Sequence, residues 1–453
     1  MGAVIVRAFL GIAALSVPLL SSADQTDDFV KRAMEKWHIA GLSLAVVRDG
    51  KVVKVRGYGF ANVETGTRAT AETVYKIGSV SKQFLASAIL LLAGDRKLSL
   101  HDSASNYLDG CPATWKEITV ENLLHHTSGL PEDPPGYDPY KTQSDAEMIK
   151  SAYSTPLLFK PGEKLSYSNL GYFVLAEIIR KVSGEPWDQF VRERIFAPAG
   201  MIHTLTTSAS AIIPDRASGY SWKFDHLEHA EDTIAVRPSG AFLSTALDMA
   251  KWDSALTAHS VLSPSIEEQL WTPALMNDGS LLPYGCGWGL GPWFGHKRVA
   301  HNGYLPGFLC DFERFVDDKI TVIVLTNTVS GDPSMIACKV AGFFAPDLVL
   351  KPIPDKNPTL SANVRSMVLG LANDSPDFSL FTADLAAWLK GDGKGVGTAF
   401  KDRGSMKSID LISGTGKSPP EVWYRVQYTD DALLLRIALT ADGKISGFGF
   451  QDG

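Results

Sequence analysis

The sequence predicts an α+β protein: an antiparallel sheet assembled from two distant parts of one large domain, helices packed on it, and a small α+β domain at the C-terminal end. Three observations point there. Strand-like apolar runs occur early, at 41–47 and 51–56 on either side of Asp49-Gly50, and return only late, near 287–289 and at 297–301, 307–316 and 320–327. The chain between them, from Ser79 to about Leu262, is helical and loop-rich. A Pro-rich stretch from Pro346 through Pro352 and Pro354 to Pro358 then reads as a linker, because proline blocks helix continuation and stiffens the chain.

Each element has its reason. Residues 1–23 carry a single charge, Arg7, an apolar run over 8–20, and the small residues Ser21-Ser22-Ala23, the pattern of a cleavable secretory signal. That run is short of the roughly 20 residues a bilayer span needs, so no membrane span is expected after cleavage, and the alternative is an uncleaved anchor. The expected location is secreted or periplasmic. A helix is predicted through Phe29 to Trp37, then the hairpin at Asp49-Gly50. From Phe84 to Leu92 nearly every residue is Ala, Leu, Ile or Phe, which predicts a helix buried on every side, closed by Asp95-Arg96-Lys97. Past the linker, 363–371 and 381–389 have helical spacing, while 408–412, 421–428 and 432–439 alternate as strands do, and a turn over 440–444 leads to a last strand through Phe448 and Phe450. The expected division is a signal segment 1–23, a large domain 24–350, a linker 351–360 and a C-terminal domain 361–453.

Composition narrows the partners. A chain that is 45% hydrophobic and 21% charged is soluble and globular, and a formal net charge of −7 without any Lys/Arg block argues against nucleic-acid binding. Four cysteines, Cys111, Cys286, Cys310 and Cys338, allow three pairings, and free thiols are an equal alternative. No C-x-x-C or H-E-x-x-H spacing occurs, so neither a metal nor another cofactor is expected.

Three short motifs carry chemistry. Ser79 and Lys82 stand three residues apart at the head of the apolar helix, which puts both side chains on one face. Burial and the positive helix end both lower the pKa of such a lysine, so it can take the serine's proton and make the hydroxyl nucleophilic. The competing reading is a helix cap with a snorkelling lysine. Tyr167-Ser168-Asn169 follows the Pro161-Gly162 turn and precedes a helix over 172–182, so it lies on an exposed loop. A phenol beside a cationic lysine is expected to have a lowered pKa and to exchange protons with Ser79 and the leaving group, while Asn169 orients Lys82 and holds a substrate amide. The alternative is that Ser168 or Asn169 only caps the helix. His301-Asn302-Gly303 is expected to end a strand, with Gly303 leaving the strand face open to a substrate backbone and the Ser79 and Tyr304 N–H groups forming an oxyanion hole, unless Asn302-Gly303 is merely a hairpin turn. His125 and His126 read as structural, holding a turn.

S-x-x-K, then Y-x-N, then H-x-G on a late strand resembles the serine beta-lactamase and penicillin-binding protein superfamily, over roughly residues 29–344. The runs 120–131 and 239–246 look like segments of its class C and D,D-peptidase-like members. The resemblance implies a five-stranded antiparallel sheet flanked by helices, an all-helical subdomain, and an active site between them. It implies Ser79 as the acylated nucleophile, with Lys82 and Tyr167 jointly as acid and base. Asn169, His301, Gly303 and Tyr304 are then the substrate-binding residues. Where beta-lactamases have Lys-Thr-Gly this chain has His301-Asn302-Gly303, and a partly charged histidine holds a substrate carboxylate weakly and with pH dependence. The expected function is therefore an exported serine hydrolase acting on a small-molecule ester or peptide-like amide, in the manner of D,D-carboxypeptidases, D-aminopeptidases or esterases. A beta-lactamase, or a penicillin-acylated sensory module without turnover, is the alternative.

Overall fold

The computed structural model describes residues 22–208, 210–415, 420–429 and 431–452; the predicted signal segment, apart from its last two residues, lies outside them. The main sheet is antiparallel throughout, with five long strands in the spatial order Arg298–Leu305, Phe308–Phe315, Ile320–Thr326, Gly41–Arg48 and Lys51–Asn62. Two-residue stubs, Gly289–Leu290 and Thr67–Arg68, extend it to seven strands. The early hairpin closes at Asp49 and Gly50, whose φ values of +50° and +71° are those of a two-residue turn with left-handed residues at both centres. The early pair joins the late strands in the register Leu44 to Val324 and Val46 to Val322.

Both faces of this sheet are covered, which is why 41–47 reads as a continuous apolar run rather than an alternating one. Leu44, Val46, Val322 and Val324 face the helices Ser22–Lys36 and Pro333–Phe344, packing on Val30, Ala33, Ile336 and Val340. Ala45, Val47, Phe312 and Ile323 face the other way, into the cluster that holds the central helix. That helix, Lys82–Gly94, follows a tight turn over Gly78–Ser81 and is buried from Lys82 to Leu92. It packs against Asn169–Ser183, the longest helix of the insert. The insert is mainly helical and also carries two small sheets, one pairing Tyr75–Lys76 and Leu205–Thr206 with Phe242–Ser244, the other pairing Tyr220–Lys223 with His226–His229.

Beyond the exposed residues 351–359 a third core forms. Four antiparallel strands, Ser408–Thr415, Glu421–Gln427, Ala432–Leu439 and Ile445–Asp452, follow one another in sequence order and are covered by Pro358–Ala372 and Ala383–Lys390. Pro358 occupies the first helical turn, where its missing N–H is no loss, and Asn357 caps that turn by accepting from the Leu360 N–H. All four cysteines are free thiols.

Candidate active site

Ser79 sits in the turn before the central helix, partly exposed, and the Lys82 ammonium-type nitrogen lies 3.0 Å from its Oγ. Neither residue behaves as a cap with a snorkelling partner: no side chain caps this helix, and Lys82 is fully buried. Its Nζ also reaches Asn169 Oδ1 at 3.0 Å and the Ser239 carbonyl at 2.9 Å. Both of those oxygens can only accept. A neutral amine has two N–H bonds and one lone pair, so its two donors go to Asn169 and Ser239 and the lone pair is left facing the Ser79 hydroxyl. Burial, reinforced by the Arg237 charge and opposed by Asp133 and Glu132, holds Lys82 well below the ordinary lysine range, in favour of that neutral form.

Tyr167 comes in over this pair. Its phenol faces the Ser79 hydroxyl, and its ring centroid lies 4.7 Å from Lys82 Nζ. The expected lowering of its pKa is not found. Burial pushes the phenol up, the neighbouring Ser79 hydroxyl and the Arg237 charge oppose this only in part, and a lysine that is itself driven toward neutrality supplies no charge to reverse the balance. Tyr167 is therefore protonated at rest. Ser168 does cap the following helix, accepting from the Gly171 N–H at 3.1 Å. Asn169, in the first turn, is tied at both ends of its carboxamide, to Lys82 through Oδ1 and to Asp133 through Nδ2 at 3.0 Å, which suits orienting the lysine rather than meeting a substrate.

The late strand differs most from expectation. His301 does not end a strand: Arg298–Leu305 continues past it, paired His301 to Phe312 and Gly303 to Cys310. Gly303 does not open the strand face either. A Cβ there would stand 2.1 Å from the Ile77 carbonyl oxygen and 2.6 Å from Cys310 Sγ, so this glycine lets the strand lie flush against the turn that carries Ser79. Gly78, at φ +49°, makes the matching approach, since a Cβ on it would be 2.8 Å from the Tyr304 N. The Tyr304 main chain is thus placed beside the nucleophile turn, while its side chain is 60% exposed at the mouth. His301 is buried, and that burial is the main reason its pKa is lowered to about 4. The expected partly charged carboxylate anchor is consequently a neutral imidazole near pH 7.

Sequence reasoning missed several contributors. Arg237 forms an ion pair with Asp133 and lies 4.6 Å over the Tyr137 ring. With Gly240, Phe242 and Tyr304, these residues wall a cavity of about 330 Å³ that adjoins the site, although Ser79 is not part of its lining. Ser239 lay within a segment noted from sequence, yet nothing in spacing shows that its carbonyl meets Lys82. Among the described residues no cluster of acidic, histidine or cysteine side chains is suited to a metal ion.

The fold and this serine-lysine-tyrosine constellation define a class, and comparison agrees with it. The family model described as Beta-lactamase matches residues 26–345, and the chain belongs to that family. It is 28% identical over 316 residues to a penicillin-binding protein of Bacillus subtilis, covering 65% of this chain and 69% of that protein. To a D-aminopeptidase of Brucella anthropi it is 30% identical over 324 residues, covering 69% of this chain but only 60% of the relative. An octameric penicillin-binding protein homologue from Pyrococcus abyssi shares the fold across 95% of this chain and 96% of its own, with a TM-score of 0.65 at 23% identity. The protein is thus a serine hydrolase of the penicillin-binding-protein-like kind.

Proposed function

We propose that the protein is an exported hydrolase that forms an acyl-enzyme on Ser79 and releases it to water, cleaving an ester or a peptide-like amide. The observation that carries this reading is the arrangement around Lys82, whose two fixed acceptors leave the amine lone pair facing Ser79 Oγ. The Ser79 proton passes to the Lys82/Tyr167 pair as Oγ attacks the carbonyl carbon, the N–H groups of Ser79 and Tyr304 receive the oxyanion, and the Tyr167 phenol gives a proton to the departing alcohol or amine. Water then attacks the acyl carbon, the same pair takes its proton, and that proton returns to Ser79 Oγ as the carbon–oxygen bond to the serine breaks and the acid leaves. Asn169 and Ser239 hold the amine in place throughout.

The names of the relatives favour D-amino-acid amides and peptides as the amide class, and export rests on the signal pattern of 1–23. A short-chain ester panel, D-amino-acid anilides and nitrocefin, run with wild type and Ser79→Ala, tests the proposal. Turnover of an ester or anilide that vanishes in Ser79→Ala, with an acyl adduct at Ser79 by intact mass, supports it; turnover that survives the substitution ends it. Because one relative is a penicillin-binding protein, a stable penicillin adduct without turnover of any substrate would favour a sensory module instead.

A further inference from the structure

Sequence reads His126 as a turn residue, but the loop bearing Tyr167 is built on it. Its carbonyl accepts the Ser166 N–H at 2.9 Å and its Nδ1 accepts the Ser168 N–H at 3.0 Å, so both neighbours of Tyr167 are tied to one residue. Its ring also stacks on the Tyr167 ring, with centroids 4.2 Å apart and planes 32° from parallel. His126 is fully buried and holds φ at +59°, a left-handed conformation that costs a non-glycine residue on the order of 1 kcal/mol. A residue kept in that conformation beneath the phenol invites a functional explanation.

Its other nitrogen begins a chain. His126 Nε2 lies 3.1 Å from the Tyr284 hydroxyl, that hydroxyl lies 3.1 Å from His301 Nε2, and His301 Nδ1 lies 2.7 Å from the Asn302 carbonyl. Both ends are set by main-chain groups that have no choice of role. The Ser168 N–H can only donate, so His126 Nδ1 accepts and the ring proton is on Nε2, directed at Tyr284. The Asn302 carbonyl can only accept, so the His301 proton is on Nδ1 and Nε2 accepts. The single hydroxyl proton of Tyr284 then completes the chain toward His301.

We propose that His126 and Tyr284 are positioning residues of the hydrolytic site, an ordered hydrogen-bond chain that docks the Tyr167 loop onto the strand Arg298–Leu305 and fixes the tautomer of His301. The proposal rests on the reading of Ser79 as nucleophile. It also narrows the substrate. With Nε2 taken by Tyr284 and Nδ1 by its own strand, His301 presents no charge and no free nitrogen, so the substrate group lying along that strand is uncharged: a neutral ester, an amide, or the continuing main chain of a peptide. A terminal carboxylate finds no charge on His301, and the cations nearest the strand, Arg237 and Lys76, are already paired with Asp133 and Asp232. The groups facing His301 and its chain are Lys82, Tyr167, Tyr284 and His126, with Tyr172, His125 and Cys286 behind them. Burial opposes a charge on either imidazole.

Selective ¹⁵N-histidine labelling of the full chain, with steady-state kinetics on wild type, Tyr284→Phe and His126→Asn, tests this. Asparagine tolerates the left-handed backbone of position 126. In the wild type at pH 7, His126 should show the Nε2–H tautomer and His301 the Nδ1–H tautomer, and neither should titrate down to pH 5. In Tyr284→Phe, His301 loses the donor that favours its neutral form, so its titration and the acidic limb of kcat move toward the ordinary imidazole range, and kcat falls about tenfold with KM little changed, as a small misplacement of catalytic groups predicts. Its activity on a carboxylate-ended substrate, relative to the matching amide, should rise at low pH. His126→Asn should lower kcat at least as far. The opposite tautomers, or a wild-type His301 that titrates near 6.5, would overturn the proposal, as would a Tyr284→Phe variant with unchanged kcat and pH profile. Should the wild type hydrolyse nothing and form no Ser79 adduct, the catalytic reading falls by itself, and the tautomers still decide whether the chain exists.

Discussion

The large domain and the C-terminal domain bury different chemistry. Among the described residues, every buried polar or charged side chain lies at or before Thr328, including Lys82, His125, His126, Asp248, Asp253, Asp311 and Glu313. The C-terminal core, by contrast, is Val364, Met367, Leu433, Leu435, Ile437, Ile445 and similar residues, with tyrosines its nearest approach to polarity. Its charges stay at the rim, where Arg403 pairs with Asp431 and Asp452, and Lys36 of the large domain reaches Asp431 at 2.9 Å. Apolar burial alone suffices to hold a small domain together. Burying an amine and imidazoles works against stability unless they find partners, as Lys82, His125, His126 and His301 do. The difference teaches where to look for function: in the core that carries more polarity than folding needs.

The comparison breaks most sharply at the nucleophile. Ser79→Ala and Lys82→Met should each lower kcat/KM by about 10⁴-fold or more, read by turnover of the best substrate. Their stabilities should separate them. Lys82 has a folded pKa below its unfolded one, so between the two the unfolded chain binds the extra proton and the native state is disfavoured increasingly as pH falls from the alkaline side. Lys82→Met removes that penalty and should raise the urea midpoint at pH 7, by more than it does at pH 10; an equal or lower midpoint at pH 7 would contradict the depressed pKa.

In the C-terminal core the same kind of truncation should do the reverse. Leu435→Ala, at a fully buried position, should destabilise that domain by about 2–5 kcal/mol while kcat per folded molecule stays within about twofold, checked by paired denaturation and active-site titration. A large loss of kcat would show that the second domain shapes the site. A smaller effect is expected from Arg237→Gln. The Arg237 charge presses the Lys82 pKa down, and its removal also frees the Asp133 charge that presses it up, so both changes move the acidic limb of kcat/KM to higher pH. A limb that moves to lower pH would refute the assignment. Smallest of all, Asp431→Asn loosens rim pairs to Lys36 and Arg403 and should change stability by about 1 kcal/mol or less, in a salt-sensitive way, with activity intact.

Much of this protein is legible without coordinates because its signals are local. The hairpin at Asp49-Gly50, the apolar helix after Ser79, the Pro-rich stretch and the alternating strands beyond it each follow from a few neighbouring residues, as does the one-turn spacing that joins Ser79 to Lys82. What was misread involves distance. At Gly303 the sequence shows an open strand face but not the Ile77 carbonyl that closes it. The burial that keeps His301 neutral, and the neutral state of Lys82 that leaves the Tyr167 phenol protonated, are invisible along the chain.

Sequence by itself therefore determined the fold class and most elements, since periodicity and turn chemistry act within a handful of positions, and it offered Ser79, Lys82 and Tyr167 as candidates through the order of their motifs. Only the tertiary structure decided which of their neighbours matter and in what protonation state. Asn169 meets Lys82 across 87 residues, Ser239 across 157, and Tyr284 meets His126 across 158. Desolvation, which holds Lys82, His126 and His301 toward neutrality, belongs to no segment of chain but to the packed surroundings that the whole fold brings together.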